Sequence, residues 1–223
     1  SLSLDEARTE TNVVLVQNGE SLSSPYTGKN VVLGFVDSGF DVTHPAFRSS
    51  DNETLRIARF WNQIDNKLLS EKVLFSFSHF SPLIDNSGHG THVAGIAGGS
   101  YFGTIATSES TTLDKNPYYG VAYDADLVMV GSTLEDTDIL NGIKYVFNYA
   151  DSIDKPAVVN ISLNTSYGPH DGTSLFDQAI DAMLGKGKIL VGSIGNDAKN
   201  KTHASMELNN AETPVLTFFK PSG

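Results

Sequence analysis

Asn86-Ser87-Gly88-His89-Gly90-Thr91-His92-Val93-Ala94-Gly95 is the stretch on which the reading of this chain turns. It sets two histidines three apart in a run of Gly, Ala, Thr and Val. An imidazole changes charge near neutral pH and so suits proton transfer. Glycines on both sides of His89 leave room for a second backbone or a ligand to come close. From Val93 to Gly98 the side chains are small, and a helix built of them is expected to be tightly enclosed. The pattern predicts a loop that presents His89, then a buried helix starting near Thr91. The plain alternative is a buried helix carrying two hydrogen-bonded histidines.

Upstream, Val31-Val32-Leu33-Gly34-Phe35-Val36 is a continuous apolar run, the pattern of a strand buried on both faces. It stops at Asp37-Ser38-Gly39. In open parallel sheets the working residues collect at the carboxyl ends of strands, and Asp37 is in that position. An aspartate that merely closes a turn fits these residues equally well. Residues 1–12 are polar and read as an arm or loop, Val13–Val16 as a short strand, and Ser23–Gly28 as turn chemistry. Arg56–Trp61 and Val73–Phe77 read as strands, and His44 and His79 as turn or surface histidines.

Downstream, residues 100–119 hold Ser, Thr, Gly and Pro without a period and read as a surface loop. Asp126–Gly131 is another buried strand. Ile139, Leu140, Ile143, Val146 and Phe147 recur at helical spacing, which predicts a helix over 137–150. Ala157–Leu163 is a strand with Asn160 inside it. A second helical stripe follows from Leu175 to Leu184, closed by Gly185 and Gly187. Lys188–Gly192 is the next strand and runs into Ser193-Ile194-Gly195-Asn196. This alternation predicts right-handed crossovers and an α/β fold: three layers, doubly wound, with a mostly parallel sheet and helices on both faces. Residues 197–223 are polar, with a strand expected at Val215–Phe219.

Composition narrows the function classes. A length of 223 residues suits one large domain, and 39% hydrophobic residues can fill its core. A net charge of −11 repels a phosphate backbone, so no nucleic-acid partner is expected. With no cysteine there is neither disulfide nor thiolate chemistry. No apolar stretch nears the roughly 20 residues of a membrane span, so no transmembrane segment is expected. The chain begins at Ser1 without a signal-peptide pattern and is expected to be trimmed.

Asp37, the segment Asn160–Asn164 and Asn196 thus lie at three strand ends, with His89 at the start of a helix. An aspartate that fixes a histidine tautomer, a histidine that takes a proton and an amide that donates to an oxyanion suit acyl transfer. Asp, then His, then a nucleophile is one of the known triad orders.

Val36-Asp37-Ser38-Gly39-Phe40-Asp41 with His44-Pro45, followed by Gly88–Gly95, resembles the subtilisin-like serine proteases, the subtilases. Tyr119-Gly120-Val121-Ala122, Val159-Asn160-Ile161-Ser162-Leu163 and Ile194-Gly195-Asn196 are similar to the family's next blocks, in family order over residues 26–197. The resemblance implies a serine endopeptidase with the subtilisin-like fold. Asp37 would be the triad aspartate, His89 the general base and Asn196 the oxyanion donor, with His92 a structural helix residue. Ser162, Leu163 and Asn164 would form one wall of the primary specificity pocket, and Ser193 with Gly195 the opposite wall. Ser132 to Leu134 would pair with an extended peptide as an added strand. The resemblance also implies a polypeptide substrate, admits a propeptide as partner, and places the protein outside a bacterial cell or in its envelope.

The chain departs from the family at three places. The nucleophile block, Gly-Thr-Ser-Met-Ala-x-Pro, is not in residues 1–223. Gly172-Thr173-Ser174 precedes Asn196 instead of following it, and Ser174 with Asp177 reads as a helix capping box. The chain is therefore expected to be the N-terminal portion of a catalytic domain, incomplete at the C-terminus and inactive alone. Competing readings are an inactive subtilase-like domain that binds a peptide or protein partner, and a metal hydrolase using His89, His92 and Asp37. The last lacks the i, i+4 spacing and the glutamate of the common zinc helix. Asn164 stands where the family usually has glycine, and Ala46 where many subtilases carry an acidic calcium ligand. The carboxylates allow calcium without defining a site, so no cofactor and no metal ligand is assigned.

Overall fold

The computed structural model describes residues 4–49, 55–70, 87–100, 118–165, 168–196 and 199. Its centre is β1 (Val32–Asp37), buried at all six positions. Around it lie β2 (Ile57–Asn62), β3 (Lys67–Ser70), β4 (Asp126–Gly131), β5 (Ala157–Ile161) and β6 (Lys188–Gly192), in the order β3-β2-β4-β1-β5-β6. β3 runs antiparallel to β2, and every other neighbouring pair is parallel. This is the mostly parallel α/β sheet that the alternating pattern predicts.

Successive side chains of β1 serve opposite layers. Leu33 and Phe35 join Phe40, Phe47, Ile57, Phe60, Ala94, Leu127 and Met129 in one core. Val32 and Val36 join Val128, Val130, Ile143, Val146 and Phe147 in the other. The first core is covered by α3 (His89–Gly98), the second by α4 (Asp136–Ser152). Gly34 lets α4 settle onto the sheet, because a β-carbon there would lie 2.4 Å from a Val146 methyl. The period-2 split of a buried strand into two faces thus produces the three layers.

The N-terminal region differs from its sequence expectation. Residues 4–18 form two short helices, α1 (Leu4–Glu10) and α2 (Val13–Asn18), where an arm and a strand are predicted. Polar anchors decide this. The buried Arg8 guanidinium lies 3.7 Å from the Tyr119 ring centroid and donates to the Tyr119 carbonyl. Gln17 Nε2 donates to the carbonyl oxygens of Val121 and Gly120 at 2.8 and 3.2 Å. Leu15 and Val16 stay exposed, so the apolar run that suggests a strand is not what holds the segment.

α3 also differs. It starts at His89 rather than near Thr91 and buries only Gly90, Ala94 and Gly98, while His92 and Ile96 are exposed. Small residues at four-residue spacing form one stripe against the sheet, so the helix is enclosed on one side among the described residues. The strands and helices expected around 56–61, 126–131, 137–150, 157–163, 175–184 and 188–192 are all present, α5 being Leu175–Asp181. β5 ends at Ile161, and Ser162–Leu163 leave the ladder. The predicted strands Val73–Phe77 and Val215–Phe219, His79, and most of the loop 100–119 lie outside the described residues.

Arg56 ties these parts together. Its Nη1 donates to Gly98 O at 2.7 Å and Ser100 Oγ at 3.2 Å, and its Nη2 to Ala125 O at 2.8 Å. One side chain thereby joins the entry to β2, the carbonyl end of α3, where a cation is favoured, and the entry to β4. Burial pushes its pKa down to about 10, against the pull of Asp124 and Asp126, and it remains cationic at neutral pH. Arg56→Met keeps the apolar stem and removes the donors. The expected result is a loss of roughly 2–4 kcal/mol, seen as a lower urea midpoint at unchanged m-value.

Candidate active site

Four parallel strands, β4, β1, β5 and β6, bring their carboxyl ends to one edge of the sheet. Val32 pairs with Asp126 and Ala157, and Ala157 with Lys188. Asp37 pairs with Gly131 and Ile161 with Gly192, while β1 and β5 last pair at Phe35 and Asn160. Two ladders run one residue further, since Ser132 N donates to Asp37 O at 2.7 Å and Ser193 N to Ile161 O at 3.1 Å. Distant parts of the sequence therefore meet at one edge with about 4.8 Å between strands.

Asp37 closes β1 and is 2% exposed. His89 opens α3 and presents its Nδ1 to both Asp37 oxygens, at 2.8 and 3.0 Å. The carboxylate can only accept, so Nδ1 donates and the lone pair of the neutral ring is on Nε2. Half of the His89 side chain remains exposed, while its partner is buried. Asp37 Oδ1 also accepts from Ser38 N at 2.8 Å and from Ser38 Oγ at 3.3 Å. The arrangement is a fixed imidazole with one nitrogen anchored and the other chemically free to take a proton.

Two features allow this contact. Gly90 has no side chain where a β-carbon would lie 2.2 Å from Gly39 O and 3.1 Å from Asp37 Cβ. Then Thr91 Oγ1 accepts from Asp41 N at 2.8 Å, tying the first turn of α3 to the loop after β1. Ser87 Oγ accepts from His89 N at 3.1 Å and lies 3.3 Å from Ser38 Oγ, so a hydroxyl pair also links the two segments. Sequence reading passes over Ser38, Ser87 and Thr91. A hydroxyl residue just ahead of a helix was the available signal for Ser87.

The remaining sequence candidates follow the carboxyl ends of β4, β5 and β6. Ser162, Leu163 and Asn164 leave the end of β5, and Ser193, Gly195 and Asn196 leave the end of β6. These two exits touch: Ser193 Oγ donates to Leu163 O at 2.8 Å. Asn196 is exposed, four residues past Gly192. Ser132 is buried, its N–H spent on Asp37 O and its Oγ accepting from Leu134 N at 3.2 Å. Leu134 has φ of +69°, so the extended backbone of β4 does not run on through it, and its side chain is exposed. His92 is exposed on α3, and His44 caps the 3-10 turn Pro45–Phe47 by accepting from Ala46 N. Among the described residues, no three His, Asp or Glu side chains gather as metal ligands.

Ser174 is the N-cap of α5. Its Oγ accepts from Asp177 N at 3.1 Å and donates to Asp177 Oδ2 at 2.7 Å.

The subtilase family profile matches residues 28–215, most of the chain. This chain belongs to the subtilase family. It is similar to a subtilisin of a Bacillus species, 25% identical over 194 residues covering 84% of this chain and 39% of that protein. It is also similar to subtilisin-like protease 3 of Pseudogymnoascus destructans, 31% identical over 127 residues, covering 56% of this chain and 27% of that one. Among solved structures it is similar to the CspB protease of Clostridium perfringens, with a TM-score of 0.74 and 29% identity over 87% of this chain and 41% of CspB. The chain thus spans about two fifths of the length of the Bacillus subtilisin and of CspB. No described helix is long and apolar enough to cross a membrane.

Two substitutions test the local geometry. Gly90→Ala drives a methyl into Gly39 O, and a loss of roughly 1–3 kcal/mol is expected. The accompanying loss of the downfield Nδ1 proton of His89 in NMR spectra checks that the imidazole has left Asp37. Ser174→Ala removes a helix cap and should cost about 1 kcal/mol, seen as a lower urea midpoint at unchanged m-value.

Proposed function

We propose that this subtilase chain is the N-terminal part of the catalytic domain of a serine endopeptidase, with Asp37 and His89 as two members of its triad. The anchoring of His89 Nδ1 on the buried Asp37 carboxylate carries this reading. A serine outside residues 1–223 supplies the nucleophile. Its hydroxyl attacks the scissile carbonyl carbon as His89 Nε2 takes the hydroxyl proton. Asn196 donates through its side-chain amide to the oxyanion that forms. The tetrahedral species then collapses, the C–N bond breaks, and the departing amine takes the proton from Nε2. Water repeats the sequence on the acyl-enzyme and releases the acid. Asp37 stays ionised throughout and holds the imidazolium in place.

Ser162–Asn164 and Ser193–Gly195 form the two walls against which the residue before the scissile bond lies. The segment Ser132 to Leu134 lies along the substrate backbone, with the Leu134 side chain as its exposed apolar contact. The substrate is a polypeptide, and a propeptide of the same chain is a second occupant of this edge. Membership of the family and likeness to Bacillus subtilisin support export from a bacterial cell as the setting.

The test uses the native protein that contains this chain. A fluorophosphonate probe should label one serine, located by peptide mapping outside residues 1–223, and peptide-bond hydrolysis should accompany labelling. Asp37→Asn should lower kcat by about 10⁴ and His89→Ala by roughly 10⁶, magnitudes that come from serine proteases themselves. Asn196→Ala should lower it by roughly 10²–10³ with little change in KM, a magnitude that comes from a subtilisin itself and not from this geometry. Absence of both labelling and hydrolysis would leave a domain that binds peptides without cleaving them.

A further inference from the structure

The two segments that leave β5 and β6 are laced together, and one side chain of the first packs on a glycine of the second. Ser193 N donates to Ile161 O at 3.1 Å, and Ser193 Oγ to Leu163 O at 2.8 Å. One step further on, the Asn164 carboxamide covers Gly195. A β-carbon on Gly195 would lie 2.8 Å from Asn164 Nδ2 and 3.0 Å from both Asn164 Cβ and Cγ. Three atoms of one side chain at nearly equal distance mean that Asn164 packs against the place a Gly195 side chain would take. Gly195 has φ of +88°, which by itself favours glycine. The space that its missing side chain leaves is filled by Asn164.

We infer that Asn164 is a specificity-determining residue that restricts the slot between the β5 and β6 exits to short side chains. The inference rests on the peptidase reading for the identity of the ligand, a peptide, but the steric statement stands on the contact itself. A bulky group that enters between Ser162–Asn164 and Ser193–Gly195 meets the carboxamide at van der Waals distance from the opposite wall. It must either stop short or displace Asn164. Displacement exposes Gly195 and removes the packing of the amide on it. Gly, Ala and Ser fit beneath the amide; Phe, Tyr and Leu do not. Asn164 itself is exposed to solvent, so an entering side chain can reach it.

Substitution by glycine removes the obstruction and touches nothing on β1 or α3. Two readouts on the native full-length protein separate this inference from the peptidase reading. One is kcat/KM for tetrapeptide coumarylamides that differ only in the last residue, Ala, Ser, Leu, Phe or Lys. The other is direct binding of the corresponding tetrapeptide acids, measured by calorimetry and independent of hydrolysis. The unaltered protein should favour Ala and Ser over Phe by at least about tenfold. Asn164→Gly should raise Phe and Leu relative to Ala by about tenfold or more, and Asn164→Ser should fall between.

Hydrolysis with a preference for Phe or Leu in the unaltered protein would overturn the inference and leave the peptidase reading intact. An Ala-to-Phe ratio indifferent to both substitutions would do the same. Should hydrolysis be absent while the peptide acids bind with the Ala preference and Asn164→Gly relaxes it, the peptidase reading fails and the restricted slot stands. If neither hydrolysis nor any dependence of binding on the last residue is found, both fail. Should Asn164→Gly not fold, the preference of the unaltered protein and the Asn164→Ser ratio still decide.

Discussion

The close approach of Gly90 to Gly39 is the constraint on which the candidate site depends. A helix start and a strand exit meet with no side chain between them, at a separation that a single β-carbon would reduce to 2.2 Å from a carbonyl oxygen. Gly131 at the end of β4 faces the same residue, where an added β-carbon would lie 3.7 Å from Gly39 Cα. That is ordinary van der Waals contact, so the clearance at the carboxyl edge rests on Gly90. With that space open, His89 reaches a carboxylate that is otherwise sealed among buried side chains. A hydrogen bond to a buried carboxylate is stronger than one in water, because the competing solvent is absent. The exposed half of the ring remains available for chemistry.

Burial and exposure are divided along the Asp37–His89 pair. Asp37 is desolvated, but it is compensated by the Ser38 N–H and hydroxyl as well as by the imidazole. An uncompensated carboxylate there would cost several kcal/mol. The hydroxyls of Ser87 and Thr91 add links between the same two segments. The position of the ring is therefore held by backbone-anchored contacts from both partners, and not by the His89 side chain alone. Arg56 secures the other end of α3, through Gly98 O. The helix that carries His89 is tied at its first turn to β1 and at its last to β2.

The core and the site were legible in the sequence to different degrees. β1, β4, β5 and β6 announce themselves as short apolar runs, and α4 as a 3.6-residue stripe, because burial on a sheet or helix face leaves a period in the chain. The N-terminal helices left no such mark: Arg8 and Gln17 hold them through the carbonyls of residues 119–121, and polar contacts of that range have no local signature. β3 was missed because its four residues alternate weakly and gain their order only from pairing with β2. In the site, Asp37 and His89 were legible from motif and glycine spacing. Ser38, Ser87 and Thr91 were not, since a hydroxyl residue in a loop reads as turn chemistry until its partner is known.

The sequence by itself determined which residues are apolar, at what period, and where glycine breaks the side-chain cover. That suffices for an α/β class, a strand that ends at an aspartate and a histidine close to the start of a helix, though the helix begins at His89 itself and not near Thr91. Only the tertiary structure decided that these two ends meet, that the β5 and β6 exits lie against each other, and that Asn164 covers Gly195. The physical reason is that strand register and helix docking bring together atoms far apart in the chain, 52 residues in the case of Asp37 and His89. The period of a segment states which face is buried, but not which partner it is buried against.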